Sequence, residues 1–247
     1  MPHSAETTTV PTPVSARDRL IVALDVSTAG EAQELVNKIG DAAGLYKVGL
    51  QLFTGEGPDF VRDLISSGRK VFLDLKLHDI PNTVSHAAKQ AVALGVSMLT
   101  VHASGGAAML QAASQATAGR LTLLAVTVLT SMSDEDLQEV GIAGRVIDQA
   151  LRLATLARAE GFGGIVSSPR EAAQLRKMLG DGFAIVTPGV RPAGADLNDQ
   201  QRVATPGEAI SAGASHVVIG RPITHAADPA KAANDIVVEL ERAQAAK

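Results

Sequence analysis

The sequence predicts a single (β/α)8 barrel of the α/β class, and three observations lead to this prediction. The chain has 247 residues, a usual length for one such domain. Eight short apolar segments alternate with helical patterns along the whole chain. Apolar residues make up 46% of the chain and aromatic residues 2%, so the core must consist of Val, Leu, Ile and Ala, as in parallel strands covered by helices. The alternation favours a closed barrel over a doubly wound open sheet.

The composition argues against several classes of protein. The net charge of −4 and the scarcity of aromatic residues argue against a nucleic-acid surface. No apolar run reaches the length of a membrane span. The absence of cysteine excludes disulfides and thiolate metal sites and is compatible with a cytoplasmic enzyme. Residues 1–16 lack the charged and apolar regions of a signal peptide, so we expect a disordered tail followed by one barrel domain over residues 17–247.

The elements follow in chain order from the apolar periodicity. The predicted strands cover residues 20–24, 45–50, 98–102, 121–129, 164–167, 184–187 and 217–219, and the third of the eight begins at Val71 and ends before Asp79. The predicted helices cover residues 30–39, 58–66, 83–91, 134–140, 147–160, 170–179, 206–212 and 229–244, with a further helix beginning near 106. We expect Asn82 to cap the third helix, and the polar, aperiodic residues 193–202 to form a long loop.

The third strand carries charges where a buried strand should have none. Asp74 and Lys76 are two residues apart, so they face the same side, and Asp79 follows just past the strand. A lysine between two aspartates is often a solvated ion pair of little energetic value. Here the flanking residues are too apolar for an exposed strand, so the charges must be paired or functional. The carboxyl end of a barrel strand is where such folds place their chemistry.

Polar residues also follow the other predicted strands. Asp25 could instead start a helix, although Ser27 and Thr28 are better caps. Lys47 lies inside an apolar strand and would lose its charge without a carboxylate such as Asp74. In a barrel, the strand-end residues should surround one mouth; they are Asp25, Lys47, Asp74, Lys76, Asp79, His102, Thr130, Arg191 and Arg221. His102 is interpreted as a hydrogen-bonded structural residue, and Thr130 could simply end its strand.

The last two strand ends indicate an anion site. Arg191 follows strand seven and Arg221 follows strand eight, each close to a glycine, Gly189 and Gly220. Loops after these two strands commonly hold phosphate in this fold. Glycine lets backbone N–H groups approach the anion, and arginine offers a planar fork to its oxygens. The alternative is two ordinary loops with surface arginines.

No metal site is predicted. Asp74 and Asp79 are residues of the type that can hold Mg²⁺. Lys76 and Lys47 already bring positive charge among them, which would oppose a cation at that position.

Residues 74–83, with the sequence DLKLHDIPNT, resemble the signature of the orotidine 5′-phosphate decarboxylase family. The likeness continues in order through residues 23–25, 46–49, 101–106, 126–131, 187–192 and 219–222. It implies a homodimeric (β/α)8 enzyme without a cofactor. Such an enzyme converts orotidine 5′-monophosphate (OMP) to uridine 5′-monophosphate (UMP) and CO2, the last step of UMP biosynthesis.

The resemblance also implies roles for individual residues. Lys76 would protonate pyrimidine C6, with Asp74 near the substrate carboxylate. Lys47 and Asp25 would contact the ribose hydroxyls.

Asp79, Ile80 and Thr83 would reach the site from the other subunit. Thr130 would meet the pyrimidine edge, and the phosphate and lid positions would be Arg191, Gly220 and Arg221. A glutamine in the loop after strand seven would also reach the phosphate, and Gln200 is preferred over the adjacent Gln201.

Two alternatives stay open at this point. Enzymes resembling 3-keto-gulonate 6-phosphate decarboxylase and hexulose 6-phosphate synthase share the Asp-x-Lys-x-x-Asp strand end but use Mg²⁺ and sugar phosphates. The continuation over residues 80–83 and the position of Lys47 favour the nucleotide enzyme. The other alternative is a barrel that binds a phosphate ligand without catalysis.

Overall fold

The computed structural model describes residues 15–193 and 204–246. Eight parallel strands close into a barrel in sequence order, with β1 paired to both β2 and β8. The strands are β1 Leu20–Ala23, β2 Leu45–Gly49, β3 Val71–Leu77, β4 Met98–His102, β5 Thr122–Val126, β6 Gly164–Val166, β7 Ala184–Thr187 and β8 His216–Ile219. The predicted (β/α)8 fold is confirmed.

Helices follow the strands and cover the outside of the barrel. Their bounds are α1 Ala29–Ile39, α2 Leu50–Ser66, α3 Pro81–Leu94, α4 Gly106–Thr117, α5 Asp134–Glu139, α6 Val146–Ala159, α7 Ala172–Leu179, α8 Pro206–Ser211, α9 Arg221–Thr224 and α10 Pro229–Ala245. Among the described residues, no helix is both long and apolar enough to cross a membrane.

Two apolar clusters form the core. The larger lies between the strands and the helices and takes its residues from both. The smaller fills the inside of the barrel with one or two side chains from most of the strands: Ile21, Ala23, Leu45, Phe72, Met98, Leu124, Val186 and Val218. Because side chains alternate along a strand, the residue two positions further on also points inward, but at the open end of the barrel. The filled interior therefore acts as a floor beneath the strand-end side chains.

Most predicted bounds differ from the structure by one to three residues, and the differences at β5 and α2 have a structural reason. Strand β5 ends at Val126, three residues before the predicted end, because β6 has only three residues and Val126 already pairs with its last, Val166. Helix α2 begins at Leu50 rather than residue 58. It contains a break at Gly57, where φ is 71°, and the prediction covered only the part after this break.

The predicted cap of helix α3 is wrong. The helix begins at Pro81, the N-cap position is Ile80, and no side chain caps it. Proline at the first helical position has the right φ and needs no partner for an N–H, so Asn82 lies inside the first turn. At helix α1 the preferred cap is correct, since the Thr28 hydroxyl accepts a hydrogen bond from the Glu31 amide at 3.2 Å.

The predicted tail lies almost entirely outside the described residues. Of its last two positions, Ser15 is exposed and Ala16 is buried against the outer apolar cluster.

Candidate active site

Four charged side chains form a chain across the mouth of the barrel, on β2, on β3 and just after β1. The Lys47 ammonium lies 2.9 Å from Asp25 Oδ1 and 3.8 Å from Asp74 Oδ2. The Lys76 ammonium lies 2.9 and 2.8 Å from the two oxygens of Asp74. Signs therefore alternate in the order Asp25, Lys47, Asp74, Lys76. The predicted convergence of these four residues is confirmed.

Burial differs along this chain of charges. The side chains of Lys47 and Asp74 are each 12% exposed, whereas that of Lys76 is 31% exposed and that of Asp25 is 61% exposed. Attraction between opposite charges is stronger where water is excluded, but Lys47 and Asp74 are 3.8 Å apart, so each lies closer to its other partner, Asp25 or Lys76. The ammonium of Lys76 is fixed at its carboxylate and still open to the mouth of the barrel.

Lys76 has a backbone conformation that is uncommon for lysine. Its φ is 49°, and Ala118 is the other non-glycine residue with positive φ in the described part of the chain. The pairing between β3 and β4 shifts here, from Leu73 opposite Leu99 to Leu77 opposite Val101. Left-handed backbone costs a residue with a side chain roughly 1–2 kcal/mol, and such strain often occurs at functional sites. Leu73, Leu75 and Leu77 all pack against the outer apolar cluster, so Asp74 and Lys76 remain on the inner side of β3 despite the bulge.

A threonine that the sequence analysis did not single out connects these residues. Thr100, on β4, is fully buried. Its hydroxyl accepts a hydrogen bond from the Lys76 amide at 2.8 Å and donates one to Asp74 Oδ1 at 2.9 Å. Threonine is a common residue in buried strands, so its residue type carried no signal. Its position two residues before His102, on the inward face, is the signal that was available.

Gly49, which was also not predicted as a site residue, leaves room for the Lys47 side chain. A Cβ atom at Gly49 would lie 2.9 Å from the Lys47 ammonium. Glycine at this position therefore lets the ammonium lie across the end of β2.

Two adjoining cavities open at the mouth, and both include Lys47, Pro188 and Val218 in their walls. One has a volume of about 220 Å³ and is mainly apolar. Asp74 and Lys76 enter it from one side and Thr130 from another, with Phe72, Val126, Val128, Leu129 and Val166 completing the wall. The predicted position of Thr130 beside the charged residues is thus confirmed.

The second cavity, of about 390 Å³, is the more polar one. Arg191, which is buried, and Arg221, which is exposed, both line it together with Gly220. Arg221 begins the four-residue helix α9, which the sequence analysis did not predict. His225, at the end of that helix, adds a side chain that was also missed. The two arginines predicted as an anion site therefore share one cavity, beside Asp25 and Lys47.

The structure does not bring the remaining predicted residues into these cavities. Asp79, Ile80 and Thr83 are all exposed, Ile80 with 66% of its surface accessible. Asp79 Oδ1 accepts a hydrogen bond from the Ile80 amide, at the start of α3. Gln200 lies outside the described residues.

His102 packs beside His78, with the ring centroids 5.4 Å apart. Burial lowers the pKa of His102, and the nearby His78 and Lys76 act in the same direction. Within residues 15–193 and 204–246, no group of three or more His, Cys, Asp or Glu side chains could hold a metal ion.

The geometry defines a class of protein. It is a (β/α)8 barrel with a chain of alternating charges at its C-terminal mouth, an apolar cavity on one side of that chain and an arginine-lined cavity on the other. A family model described as Orotidine 5′-phosphate decarboxylase / HUMPS family matches residues 18–236. The chain belongs to this family.

Similar proteins carry a consistent name. Orotidine 5′-phosphate decarboxylase of Moorella thermoacetica is 53% identical over 235 residues, covering 92% of this chain and 93% of the relative. The protein of the same name from Syntrophotalea carbinolica is 51% identical over 238 residues, covering 93% and 98%. The crystal structure of orotidine 5′-phosphate decarboxylase from Lactobacillus acidophilus superimposes with a TM-score of 0.81 at 40% identity, covering 90% of this chain and 98% of that one. The resemblance found in the sequence is confirmed.

Proposed function

We propose that this protein decarboxylates OMP to UMP and CO2, and so acts as a carboxy-lyase in the last step of UMP biosynthesis. The observation that carries the proposal is the Lys76 ammonium, held by Asp74 at the edge of an apolar cavity next to an arginine-lined one. The two cavities suit the two parts of a nucleotide. The names of relatives more than half identical in sequence support the same substrate.

The proposed reaction breaks the bond between C6 and the carboxylate group. The electron pair of that bond stays on C6, CO2 leaves, and a proton from Lys76 Nζ forms the new C–H bond. A fixed ammonium beside C6 stabilises negative charge that develops only in the transition state, which is how binding energy lowers a barrier. Water later returns the proton to Lys76.

Asp74 has two roles in this scheme. It holds Lys76 through both carboxylate oxygens, so no reorganisation is needed when charge develops. It would also lie close to the departing carboxylate of the substrate, and repulsion between the two would be relieved as CO2 leaves. Lys47 partly offsets that repulsion and, with Asp25, is proposed to bind the ribose hydroxyls.

The larger cavity is proposed to bind the phosphate. Arg191 and Arg221 supply the positive charge, and Gly220 allows the backbone to approach. Gln200, or the adjacent Gln201, is proposed to reach the phosphate; both lie outside the described residues. Thr130 is proposed to contact the pyrimidine edge from the smaller cavity. Binding energy from the phosphate, which is remote from C6, can then serve to orient the reacting part of the nucleotide.

We propose further that the active protein is a homodimer. Asp79, Ile80 and Thr83 would reach the partner's site from the start of helix α3. All three side chains are exposed in the single chain and are therefore accessible to a partner. A cytoplasmic location completes the proposal, since the chain contains no cysteine that would suit an oxidising compartment.

The test is a turnover assay with OMP, following the ultraviolet absorbance of the substrate with and without EDTA. Wild-type protein is expected to convert OMP in both conditions. Lys76→Ala is expected to lose at least about 1,000-fold in kcat, because the charge opposite the developing carbanion and the proton donor are removed together. Lys231→Ala, a change in an exposed ion pair on α10, is the matched control and should keep wild-type activity.

Other outcomes point to the alternatives. Activity on a sugar phosphate that EDTA abolishes would replace the proposal with the Mg²⁺-dependent chemistry. Tight binding of UMP without turnover of any substrate would identify a binding barrel. Full activity of Lys76→Ala on OMP would remove Lys76 from the proposed mechanism.

A further inference from the structure

We infer that Thr100 is a positioning residue for the proposed reaction. Its hydroxyl holds the strand bulge that presents Lys76 and, at the same time, orients the carboxylate of Asp74. This inference rests on the proposed function, because its main measurement is turnover of OMP. It starts from the two hydrogen bonds of one buried hydroxyl.

The direction of both hydrogen bonds is determined by the chemistry. The Lys76 amide can only donate, so Thr100 Oγ1 accepts from it at 2.8 Å. The single hydroxyl proton is then available for Asp74 Oδ1, at 2.9 Å. The oxygen that receives this proton also accepts from the Lys76 ammonium, at 2.9 Å. One hydroxyl therefore connects the main chain of Lys76 to the carboxylate that holds its side chain.

The bulge in β3 explains why the Lys76 amide needs an acceptor from a side chain. Between Leu73 and Leu77 the regular pairing of β3 with β4 is interrupted, and Lys76 takes a φ of 49°. An amide displaced from the ladder and buried without an acceptor would be costly. The Thr100 side chain comes from the neighbouring strand and supplies that acceptor. In its absence, the amide of Lys76 would have to find another partner, and the backbone there would be expected to move.

Loss of the Thr100 hydroxyl is expected to affect the chemical step more than substrate binding. Thr100 lines neither cavity, so it has no place in the wall against which substrate would lie. A displacement of Lys76 Nζ by a fraction of an ångström to 1 Å would misalign it with C6. Errors of this size far from the substrate can reduce rates about 100-fold. The phosphate cavity, on the other side of the barrel mouth, would be unaffected.

The experiment compares three variants in the OMP assay. Thr100→Val keeps the shape and removes the hydroxyl; it is expected to lower kcat by about 10- to 100-fold and to change KM less than about 3-fold. Thr100→Ser restores the hydroxyl and should recover most of kcat. Thr117→Val is the matched control, because Thr117 is also buried and its hydroxyl donates to the main-chain oxygen of Ser114, at the C-terminal end of α4 and away from the barrel mouth. It should keep wild-type kcat.

Crystal structures of Thr100→Val and Thr100→Ser give a readout that does not depend on turnover. In Thr100→Val, the φ of Lys76 or the distance from Lys76 Nζ to Asp74 should change, and Thr100→Ser should resemble wild type. If wild-type protein fails to convert OMP, the proposed function falls, and the two structures alone decide the role of Thr100. Wild-type kcat in Thr100→Val, equal losses in Thr100→Val and Thr100→Ser, or an unchanged Lys76 in the Thr100→Val structure would overturn the inference.

Discussion

Buried polar side chains at the two ends of this barrel differ in whether they have a partner. At the C-terminal mouth, Lys47 and Asp74 are nearly buried and paired with each other and with more exposed partners. At the opposite end, His216 is the first residue of β8 and its side chain is buried. Its Nδ1 atom has no hydrogen-bond partner among the described residues. Burial without a hydrogen-bond partner costs much more free energy for a charged imidazole than for a neutral one.

Protonation of His216 is expected to destabilise the fold in acid. Burial, and to a smaller extent Arg19, lowers its pKa from 6.5 to about 4, against a weaker opposite effect of Asp18. The unfolded chain thus binds a proton more readily than the folded one. The free energy of unfolding should therefore fall as the pH decreases from about 6.5 to about 4, by about 3 kcal/mol from this residue. His102, whose pKa is also lowered, acts in the same direction.

The measurement is chemical denaturation of wild type and His216→Gln at several pH values. The pH should run from 7.5, above the ordinary pKa of histidine, to 4, the lowered pKa of His216. The stability difference between the two proteins should shrink, or reverse in favour of the variant, toward low pH. Parallel curves would show that His216 does not contribute to the pH dependence.

Secondary-structure elements depend on small residues where the barrel is narrow. Strand β6 has three residues, and its first, Gly164, faces the interior. A Cβ atom there would lie 2.6 Å from the Ala184 carbonyl oxygen and 2.8 Å from Leu124 Cδ2. Strand β7 would have to give way, because the contact with Ala184 is to main chain, whereas the contact with β5 is to the end of the Leu124 side chain.

Gly164→Ala is therefore expected to destabilise the protein by about 1–3 kcal/mol through overpacking. Gly182→Ala is the control, since a Cβ at Gly182 would meet no atom within 4 Å. Urea denaturation of the two variants should give a lower midpoint for Gly164→Ala alone. Equal midpoints would mean that β5 and β7 relax without cost.

The whole molecule is proposed to act as a pair of chains, and complementation of two inactive variants tests this directly. Lys76→Ala and Asp79→Ala should each be inactive. If Asp79 acts across the interface, mixed dimers contain one site with both residues intact, and random reassociation of equal amounts should restore about a quarter of wild-type activity. If Asp79 acts within its own chain, no mixed dimer has an intact site and activity stays absent. Analytical ultracentrifugation of the active protein should show a dimer, and a fully active monomer would contradict the proposal.

The architecture and the main charged residues were predictable from the sequence, because both depend on simple periodicities. Apolar strands alternating with helices indicated the barrel, and charged residues within or just after apolar strands indicated Asp25, Lys47, Asp74 and Lys76. The bulge at Lys76 was not predictable, since it depends on how β3 pairs with β4. For the same reason Thr100 was missed: its role comes from a neighbouring strand and not from its own segment.

A closed ring of strands has no structural beginning. Because β1 pairs with β8 as well as with β2, the first and last strands of the chain are neighbours in the ring, and the ring itself does not mark which strand comes first. We expect a circularly permuted chain, with residue 246 linked to residue 15 and cut in the turn before β5, to rebuild the same mouth from the same strand ends. The place where synthesis starts would then be a free choice for engineering.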